Sequence, residues 1–183
     1  MLIEETPIKG LVIITPDVFG DDRGFFMESF QENRYREEVG ITMPFVQDNL
    51  SKSRRGVLRG LHFQKDPHAQ GKLVSVISGR VWDVAVDIRK DSETFGKWHG
   101  VELSGEDHKQ FWVPPGFAHG FVTLEDDTIF SYKCTDVYAR ECEAGIMWDD
   151  ADLSIDWPIE VSDIIVSEKD EKNMSLAVFQ KTL

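Results

Sequence analysis

Three side chains that could together move a proton on an anionic substrate lie close together in the sequence: His62, Arg59 and Lys72. An imidazole exchanges protons near neutral pH, while a guanidinium and an ammonium attract anions. Histidines at strand ends often have only a structural role. Two hypotheses therefore stay open for His62: a packed polar residue, or a base that takes a proton from an anionic substrate.

These side chains stand on segments with the short, alternating pattern of β-strands. Many short strands, separated by turns rich in Gly, Pro and Asp, are typical of a sandwich or jelly roll. We therefore predict a mainly β fold of the jelly-roll type with a few short helices. The predicted strands cover 11–19 (an edge strand interrupted at Pro16), 24–30, 45–50, 57–64, 72–78, 81–89, 98–103, 110–113, 120–124, 128–135 and 145–148.

Two further local signals lie among these segments. A capping box at 29–32 and a glycine stop at Gly40 predict a short helix over 30–39. The turn 78–80, centred on Gly79, predicts a tight hairpin between the strands on either side of it.

The segment 81–89 alternates between an apolar and a charged face. Its charged face carries Asp83, Asp87 and Arg89. In an open antiparallel sheet this face would lie in water, whereas in a barrel it could line a polar cavity. The sequence leaves both alternatives open.

The composition is that of an acidic globular protein. Of its 183 residues, 41% are hydrophobic and 29% charged, and the formal net charge is −13. That charge argues against non-specific binding to nucleic acid or to an anionic membrane, although a few local cations can still hold a small anion. We expect no signal peptide, no transmembrane segment and a cytoplasmic location. The two cysteines, Cys134 and Cys142, predict neither a disulfide framework nor a zinc site.

The five histidines raise the alternative of a metal site. The segment Pro-Pro-Gly-Phe-Ala-His-Gly-Phe at 114–121 resembles the second motif of the cupin superfamily, which supports the jelly roll. Metal-binding cupins add a His-x-His pair and a Glu, but here Gly60 and Gln64 flank His62. Because a facial metal site needs about three ligands, we predict that no metal is bound.

Short motifs occur through most of the chain, in an order that is specific only in combination. They lie at 22–28, 47–51, 57–64, 70–74, 83–89, 114–121, 132–138, 145–150 and 167–170. Through these motifs the chain as a whole resembles the dTDP-4-dehydrorhamnose 3,5-epimerase family, a metal-free branch of the cupins.

The resemblance implies a reaction at the two carbons next to a ketone. The family inverts C3 and C5 of dTDP-4-dehydro-6-deoxy-D-glucose, a dTDP-4-keto-6-deoxyhexose, without a cofactor. By resemblance His62 is the base, Lys72 stabilises the enolate oxygen at C4, and Tyr132 is the acid on the opposite side. A carboxylate should fix the His62 tautomer; the family assigns this to Asp170, and Asp83 stays open as a second candidate.

The resemblance also implies a set of substrate contacts. Arg23 and Arg59 would bind the diphosphate, and Tyr138 would stack on thymine. Simple strand alternation puts Arg59 and His62 on opposite faces, so we expect a bulge at Gly60 or a substrate that spans both faces. The remaining implied contacts are Phe26, Glu28, Gln47, Asp48, Asn49, Lys72, His119, Glu143 and Lys169.

The domain organisation is likewise taken from the resemblance. It implies a single cupin-like domain over 1–183, with 171–183 as a C-terminal tail. It also implies a homodimer with exchanged N-terminal strands, so that Arg23 and Glu28 act in the partner's site.

Other functions stay open at this stage. Within the family, these are an epimerase that acts at C3 or C5 alone and a 3,4-ketoisomerase. Outside it, they are a metal-dependent cupin enzyme and a sugar-binding cupin without catalysis. Retention of both His62 and Tyr132 favours the double epimerase.

Overall fold

Thirteen strands and a few short helical turns make up the fold in the computed structural model, which describes all residues from Met1 to Leu183. None of the helices has the length and apolar character needed to cross a membrane. The strands are β1 (Leu2–Glu5), β2 (Val12–Thr15), β3 (Val18–Asp21), β4 (Gly24–Met27), β5 (Gln47–Ser53), β6 (Leu58–Gln64), β7 (Lys72–Ser78), β8 (Arg80–Asp87), β9 (Trp98–Ser104), β10 (Gln110–Val113), β11 (Phe117–Thr123), β12 (Thr128–Cys134) and β13 (Glu143–Gly145).

The strands form two antiparallel sheets and a separate hairpin. The first sheet has the order β1-β2-β10-β7-β12-β5, and the second has the order β13-β6-β11-β8-β9. The hairpin pairs β3 with β4. The two sheets share one apolar core and form the predicted cupin-type jelly roll.

The interior core lies between the sheets because inward-facing side chains of both alternate with outward-facing ones. It includes Phe111 and Phe130 from the six-stranded sheet and Phe121 from the five-stranded sheet. The rings of Phe121 and Phe130 stack with their centroids 4.0 Å apart. These two rings also form part of the wall of a cavity between the sheets.

Each sheet is also covered on its outer face, which explains why several strands are apolar on both sides. Tyr35 and Ile41 pack on the six-stranded sheet against Leu73 and Trp112. The segment from Ile146 to Phe179 covers the five-stranded sheet, with Leu153, Trp157, Leu176 and Phe179 buried. The short helix α2 (Leu176–Gln180) belongs to this outer layer.

The predicted hairpin at 78–80 is wrong. Strand β7 pairs with β10 and β12, whereas β8 pairs with β9 and β11, so the chain changes sheet at Gly79. Gly79 has a φ of 81°, and a Cβ there would lie 2.2 Å from Thr128 Oγ1. A tight glycine turn can join two strands of one sheet as a hairpin, or two strands of different sheets as a corner. The local sequence cannot distinguish these two connections.

The charged face of β8 does not lie in water. Asp83 and Asp87 are fully buried. Asp87 accepts hydrogen bonds from Arg89, Ser92 and Thr94. Asp83 forms a hydrogen bond with His119. Both faces of β8 are therefore inside the protein, and each carboxylate has partners that compensate for its burial.

Several predicted boundaries are also wrong. The segment 11–19 forms two strands, and β2 is not at the sheet edge because β1 pairs beyond it. The helix α1 begins at Glu32, capped by Gln31, and continues as a π-helical turn from Tyr35 to Val39. Gly40 ends this turn in the left-handed conformation, as predicted.

Candidate active site

A cavity of about 610 Å³ lies between the two sheets, and a side chamber of about 300 Å³ adjoins it. We call them the main cavity and the side chamber. Asn49, His62, Lys72 and Tyr132 line both of them. Of the other residues expected at the site, Arg59, His119, Lys169 and Asp170 line the main cavity, and Gln47, Tyr138 and Glu143 line the side chamber.

His62, on β6, forms a short hydrogen bond with Asp170. The distance from His62 Nε2 to Asp170 Oδ1 is 2.6 Å, and the Asp170 side chain is 4% exposed. Burial by itself raises the pKa of Asp170, but hydrogen bonds and the nearby His62 outweigh it, so the pKa lies below its usual value. Asp170 is thus a carboxylate that holds one nitrogen of His62.

A bulge in β6 brings Arg59 and His62 to the same cavity. Opposite β11, His62 pairs with His119 and Arg59 pairs with Phe121, so β6 has one extra residue between the two pairs. Gly60 lies in this bulge with a φ of 144°, and a Cβ there would lie 2.6 Å from the Cα of Gly120. Of the two alternatives that the sequence left open for Arg59 and His62, the structure shows the bulge at Gly60.

A second histidine–carboxylate pair lies beside the first. His119, the cross-strand neighbour of His62, is buried, and its Nε2 lies 2.8 and 3.0 Å from the two carboxylate oxygens of Asp83. The two carboxylates left open by the sequence therefore have different partners. Asp170 contacts His62, and Asp83 contacts His119.

Lys72 extends from β7, on the wall of the main cavity opposite His62. Burial lowers its pKa, an effect opposed by the nearby Cys134, Asp83 and Glu143. Lys72 pairs across the sheet with Cys134, whose thiol accepts a hydrogen bond from Asn49. A partly desolvated ammonium in a cavity interacts strongly with a negative oxygen.

Tyr132 lies on the same wall as Lys72, on β12. Burial raises the pKa of its phenol, and a tyrosine is already protonated at neutral pH without such a shift. Because β12 and β6 belong to different sheets, Tyr132 and His62 stand on opposite walls of one cavity. This arrangement suits an acid and a base that act on opposite faces of one ring.

A chain of polar contacts lines the side chamber. Tyr138 Oη donates to Glu143 Oε2 at 2.8 Å, and Lys169 donates to the other oxygen of the same carboxylate. Burial raises the pKa of Glu143, but Lys169 and Tyr138 hold it below its usual value. Gln47 accepts from the backbone N–H of Tyr138 at 2.9 Å.

Four residues expected at the site line neither the main cavity nor the side chamber. Arg23 and Phe26 are on the β3–β4 hairpin, where the Arg23 side chain is 89% exposed and pairs with Asp21. Glu28 follows the hairpin and contacts Arg34. Asp48 points to the other side of β5 and bonds to Lys133.

Three of the polar residues that the sequence reasoning missed at the site stand on strands. Ser53 accepts two hydrogen bonds from the Arg59 guanidinium, Ser51 lines the main cavity with a buried hydroxyl that has no partner, and Gln64 lines the side chamber. Each is an inward-facing polar residue on a strand. That signal is visible in the sequence only once the register is known.

The arrangement suits proton transfer at a carbon next to a carbonyl group. Such a transfer needs a base, an acid on the opposite face and a positive charge near the carbonyl oxygen, and an imidazole, a phenol and an ammonium lie on the walls of this cavity. No group of three or more His, Cys, Asp or Glu side chains is placed to hold a metal ion. Both cavity histidines instead face single carboxylates.

Comparison with known proteins agrees with this geometry. The family model described as dTDP-4-dehydrorhamnose 3,5-epimerase matches residues 5–178. A protein of that name from Methanothermobacter thermautotrophicus is 55% identical over 167 residues, which cover 91% of this chain and 89% of the relative.

Solved structures give the same result. A dTDP-6-deoxy-D-glucose-3,5-epimerase from Legionella pneumophila, in complex with dTDP-4-keto-L-rhamnose, superposes with a TM-score of 0.95 at 53% identity, covering 99% of this chain and 95% of that one. A dTDP-4-dehydrorhamnose 3,5-epimerase from Elizabethkingia anophelis superposes with a TM-score of 0.93 at 54% identity and covers 97% of both chains.

Proposed function

Because the chain belongs to the dTDP-4-dehydrorhamnose 3,5-epimerase family, we propose that its cavity converts dTDP-4-dehydro-6-deoxy-D-glucose to dTDP-4-dehydro-L-rhamnose. The enzyme is a carbohydrate epimerase, an isomerase that inverts C3 and C5 of the hexose. The observation that carries the mechanism is the placement of His62 and Tyr132 on opposite walls of one cavity.

His62 acts as the base in this proposal. Its Nε2 is occupied by Asp170, which leaves Nδ1 to take the proton from C3 or C5. When His62 gains that proton it becomes a cation, and the Asp170 carboxylate stabilises it through the 2.6 Å contact. The chemistry moves only protons, so it is redox-neutral.

Lys72 stabilises the intermediate. Removal of a proton next to the C4 ketone moves negative charge onto the C4 oxygen, which a nearby ammonium can neutralise. Because Lys72 is already desolvated, little solvent has to be reorganised when this charge develops.

Tyr132 completes the inversion. A proton delivered from the wall opposite His62 reaches the other face of the planar enolate, and this inverts the carbon. The phenol holds its proton before that step, as a tyrosine does at neutral pH, and burial raises its pKa further.

The proposed substrate contacts are those that the family resemblance implies, and the cavity lining supports them. Arg59 binds the diphosphate, Tyr138 stacks on thymine, and His119, Gln47, Asn49, Glu143 and Lys169 contact the sugars and the phosphates. The unpartnered hydroxyl of Ser51 supports a polar ligand in the main cavity, since a buried hydroxyl is costly without a hydrogen bond.

We propose that the protein is a homodimer in which the β3–β4 hairpin reaches the partner's site. The hairpin exposes Phe19, Phe25 and Phe26, with Phe26 71% exposed, and such aromatic surface favours burial against a partner. Arg23, Phe26 and Glu28 would then act in the partner's cavity.

Mixing inactive subunits tests the shared site. Exchange between Arg23→Ala and His62→Ala subunits should restore about a quarter of wild-type activity, because half the dimers are mixed and each has one intact site. Activity that stays at the level of the separate variants would overturn the exchange.

The principal test is an NMR time course with the 4-keto sugar nucleotide in D2O. Exchange at both C3 and C5 supports the double epimerase. Exchange at one carbon would instead show a single epimerase, and no exchange would refute the function.

A cytoplasmic location is proposed as well. It is supported by the two buried cysteines, Cys134 and Cys142, which are both free thiols, as is usual in a reducing compartment. Cell fractionation with an antibody against the protein would test it.

A further inference from the structure

Gln64, the last residue of β6, uses its whole amide group to bind two loops. The side chain is buried, with the residue 8% exposed. Its Nε2 donates to the carbonyl oxygens of His68 at 2.7 Å and Val137 at 3.1 Å. Its Oε1 accepts from the backbone N–H of Ala139 at 2.7 Å.

Two of these bonds flank Tyr138 on either side. The carbonyl of Val137 and the N–H of Ala139 are held by Gln64, and the N–H of Tyr138 itself is held by Gln47 at 2.9 Å. The segment from Thr135 to Cys142 lies between β12 and β13 and has no strand pairing of its own. Side-chain bonds therefore fix the backbone that carries the Tyr138 ring.

The Tyr138 ring is otherwise poorly supported. Tyr138 is 53% exposed, and its hydroxyl contacts only the Glu143 carboxylate. An exposed ring on a loop without regular structure loses conformational freedom when a ligand stacks on it, and this loss weakens binding. If the backbone of residues 137–139 is already fixed in the free protein, less conformational freedom is lost when the ligand binds.

We propose that Gln64 is a positioning residue, which presents the Tyr138 ring to the base of the nucleotide. The inference rests on the proposed function, in which Tyr138 stacks on thymine. A glutamine suits the position because it supplies two donors and one acceptor to three backbone groups. In Gln64→Glu a carboxylate would face two carbonyl oxygens, and in Gln64→Leu none of the three bonds could form.

The first test measures the loop without any ligand. Backbone hydrogen exchange of the free protein should be faster over 137–139 in Gln64→Leu and Gln64→Glu than in the wild type. Asp150→Ala is the matched control, since the buried Asp150 holds the backbone N–H groups of Asp152, Leu153 and Leu176 in the outer layer instead. It should leave exchange over 137–139 unchanged. Unchanged exchange in both Gln64 variants would overturn the inference.

The second test measures binding of dTDP by calorimetry, and turnover. Gln64→Leu should weaken dTDP binding by about tenfold while kcat at saturating substrate stays within about twofold. In a Tyr138→Ala background the same Gln64→Leu change should cost nothing further, because its effect passes through the ring. Full additivity of the two losses, or a fall in kcat with dTDP affinity intact, would overturn the positioning role.

The outcome for Tyr138→Ala alone separates this inference from the function. Weaker dTDP binding in that variant supports the stacking contact on which the inference depends. Unchanged binding overturns the inference, whereas the epimerase assignment is judged independently by exchange at C3 and C5 in D2O.

Discussion

Replacing Asp170 with Asn tests the base assignment directly. The substitution keeps the size of a side chain that is 4% exposed and removes the charge that lies 2.6 Å from His62 Nε2. A hydrogen bond to a charged group contributes about 1.5–3 kcal/mol. In the wild type this contribution is largest when His62 carries the substrate proton, so its loss acts mainly on the transition state.

The expected loss follows from these energies. At about 1.36 kcal/mol for each factor of ten, Asp170→Asn should slow deuterium exchange at C3 and C5 by about 10-fold to 150-fold. The assay is a single-turnover NMR measurement in D2O at saturating 4-keto sugar nucleotide. The affinity for dTDP should stay within about twofold, because Asp170 acts through His62 in this proposal and not on the nucleotide.

The chain provides a matched control in Asp83→Asn. Asp83 is also a fully buried carboxylate bonded to a cavity histidine, but its partner is His119. That variant should raise KM more than it slows exchange at saturation. The reasoning would be refuted if Asp170→Asn exchanged within threefold of the wild type (a loss of about 0.6 kcal/mol), or if the two variants slowed exchange equally.

Four further predictions follow from the site and the fold. Tyr132→Phe should spare the first proton removal, seen as washout into D2O, yet reduce completed epimerisation by about 100-fold or more, and equal losses in both would argue against a separate acid. Lys72→Met should lower kcat by about 100-fold to 1,000-fold with dTDP affinity nearly unchanged, and a variant that keeps its kcat would remove Lys72 from the enolate. Activity should survive dialysis against a chelator, and loss that added metal reverses would revive the metal-dependent alternative. Burial raises the pKa of Asp87, but bonds from Arg89, Ser92 and Thr94 outweigh it and lower the pKa from 3.8 to about 2. The charged Asp87 therefore stabilises the folded protein fully at a pH above the pKa that Asp87 has in the unfolded chain. This contribution is lost as the pH falls through the lower pKa of Asp87 in the folded protein. The wild type should therefore lose about 2 kcal/mol more unfolding free energy than Asp87→Asn between pH 5 and pH 2, measured by urea denaturation, and parallel pH profiles would contradict this.

The strands were predictable because they are short, rich in β-branched residues and bounded by glycine or proline. Their pairing was not, as the corner at Gly79 shows. The sequence around it is equally compatible with a hairpin, and the choice depends on β10 and β12, which lie more than thirty positions further along the chain and pair with β7. Pairing between distant segments leaves no local signal.

The site was predictable in its residue types and less so in its contacts. The position of His62 and the need for a carboxylate were clear. Choosing between Asp170 and Asp83 required the packing of the chain, because Asp170 lies 108 positions from His62 and Asp83 lies 36 positions from its partner His119. Because alternation alone could not place Arg59 and His62 together, the sequence predicted either a bulge at Gly60 or a substrate that spans both faces, and only the strand register distinguished them. A role for Gln64 could not be predicted from the sequence, because its partners Val137 and Ala139 lie in a loop between two strands that are distant along the chain.

The outer layer over the five-stranded sheet links the packing of residues 146–179 to the orientation of His62. Asp170 lies in the same segment as the buried Leu153, Trp157 and Leu176, and it reaches His62 only when that segment has packed. A protein truncated before residue 170 would keep the barrel strands and His62 but would lack the carboxylate that holds the base. Loosening of this layer would therefore withdraw the carboxylate from His62 while the strands that carry His62, Lys72 and Tyr132 stay paired.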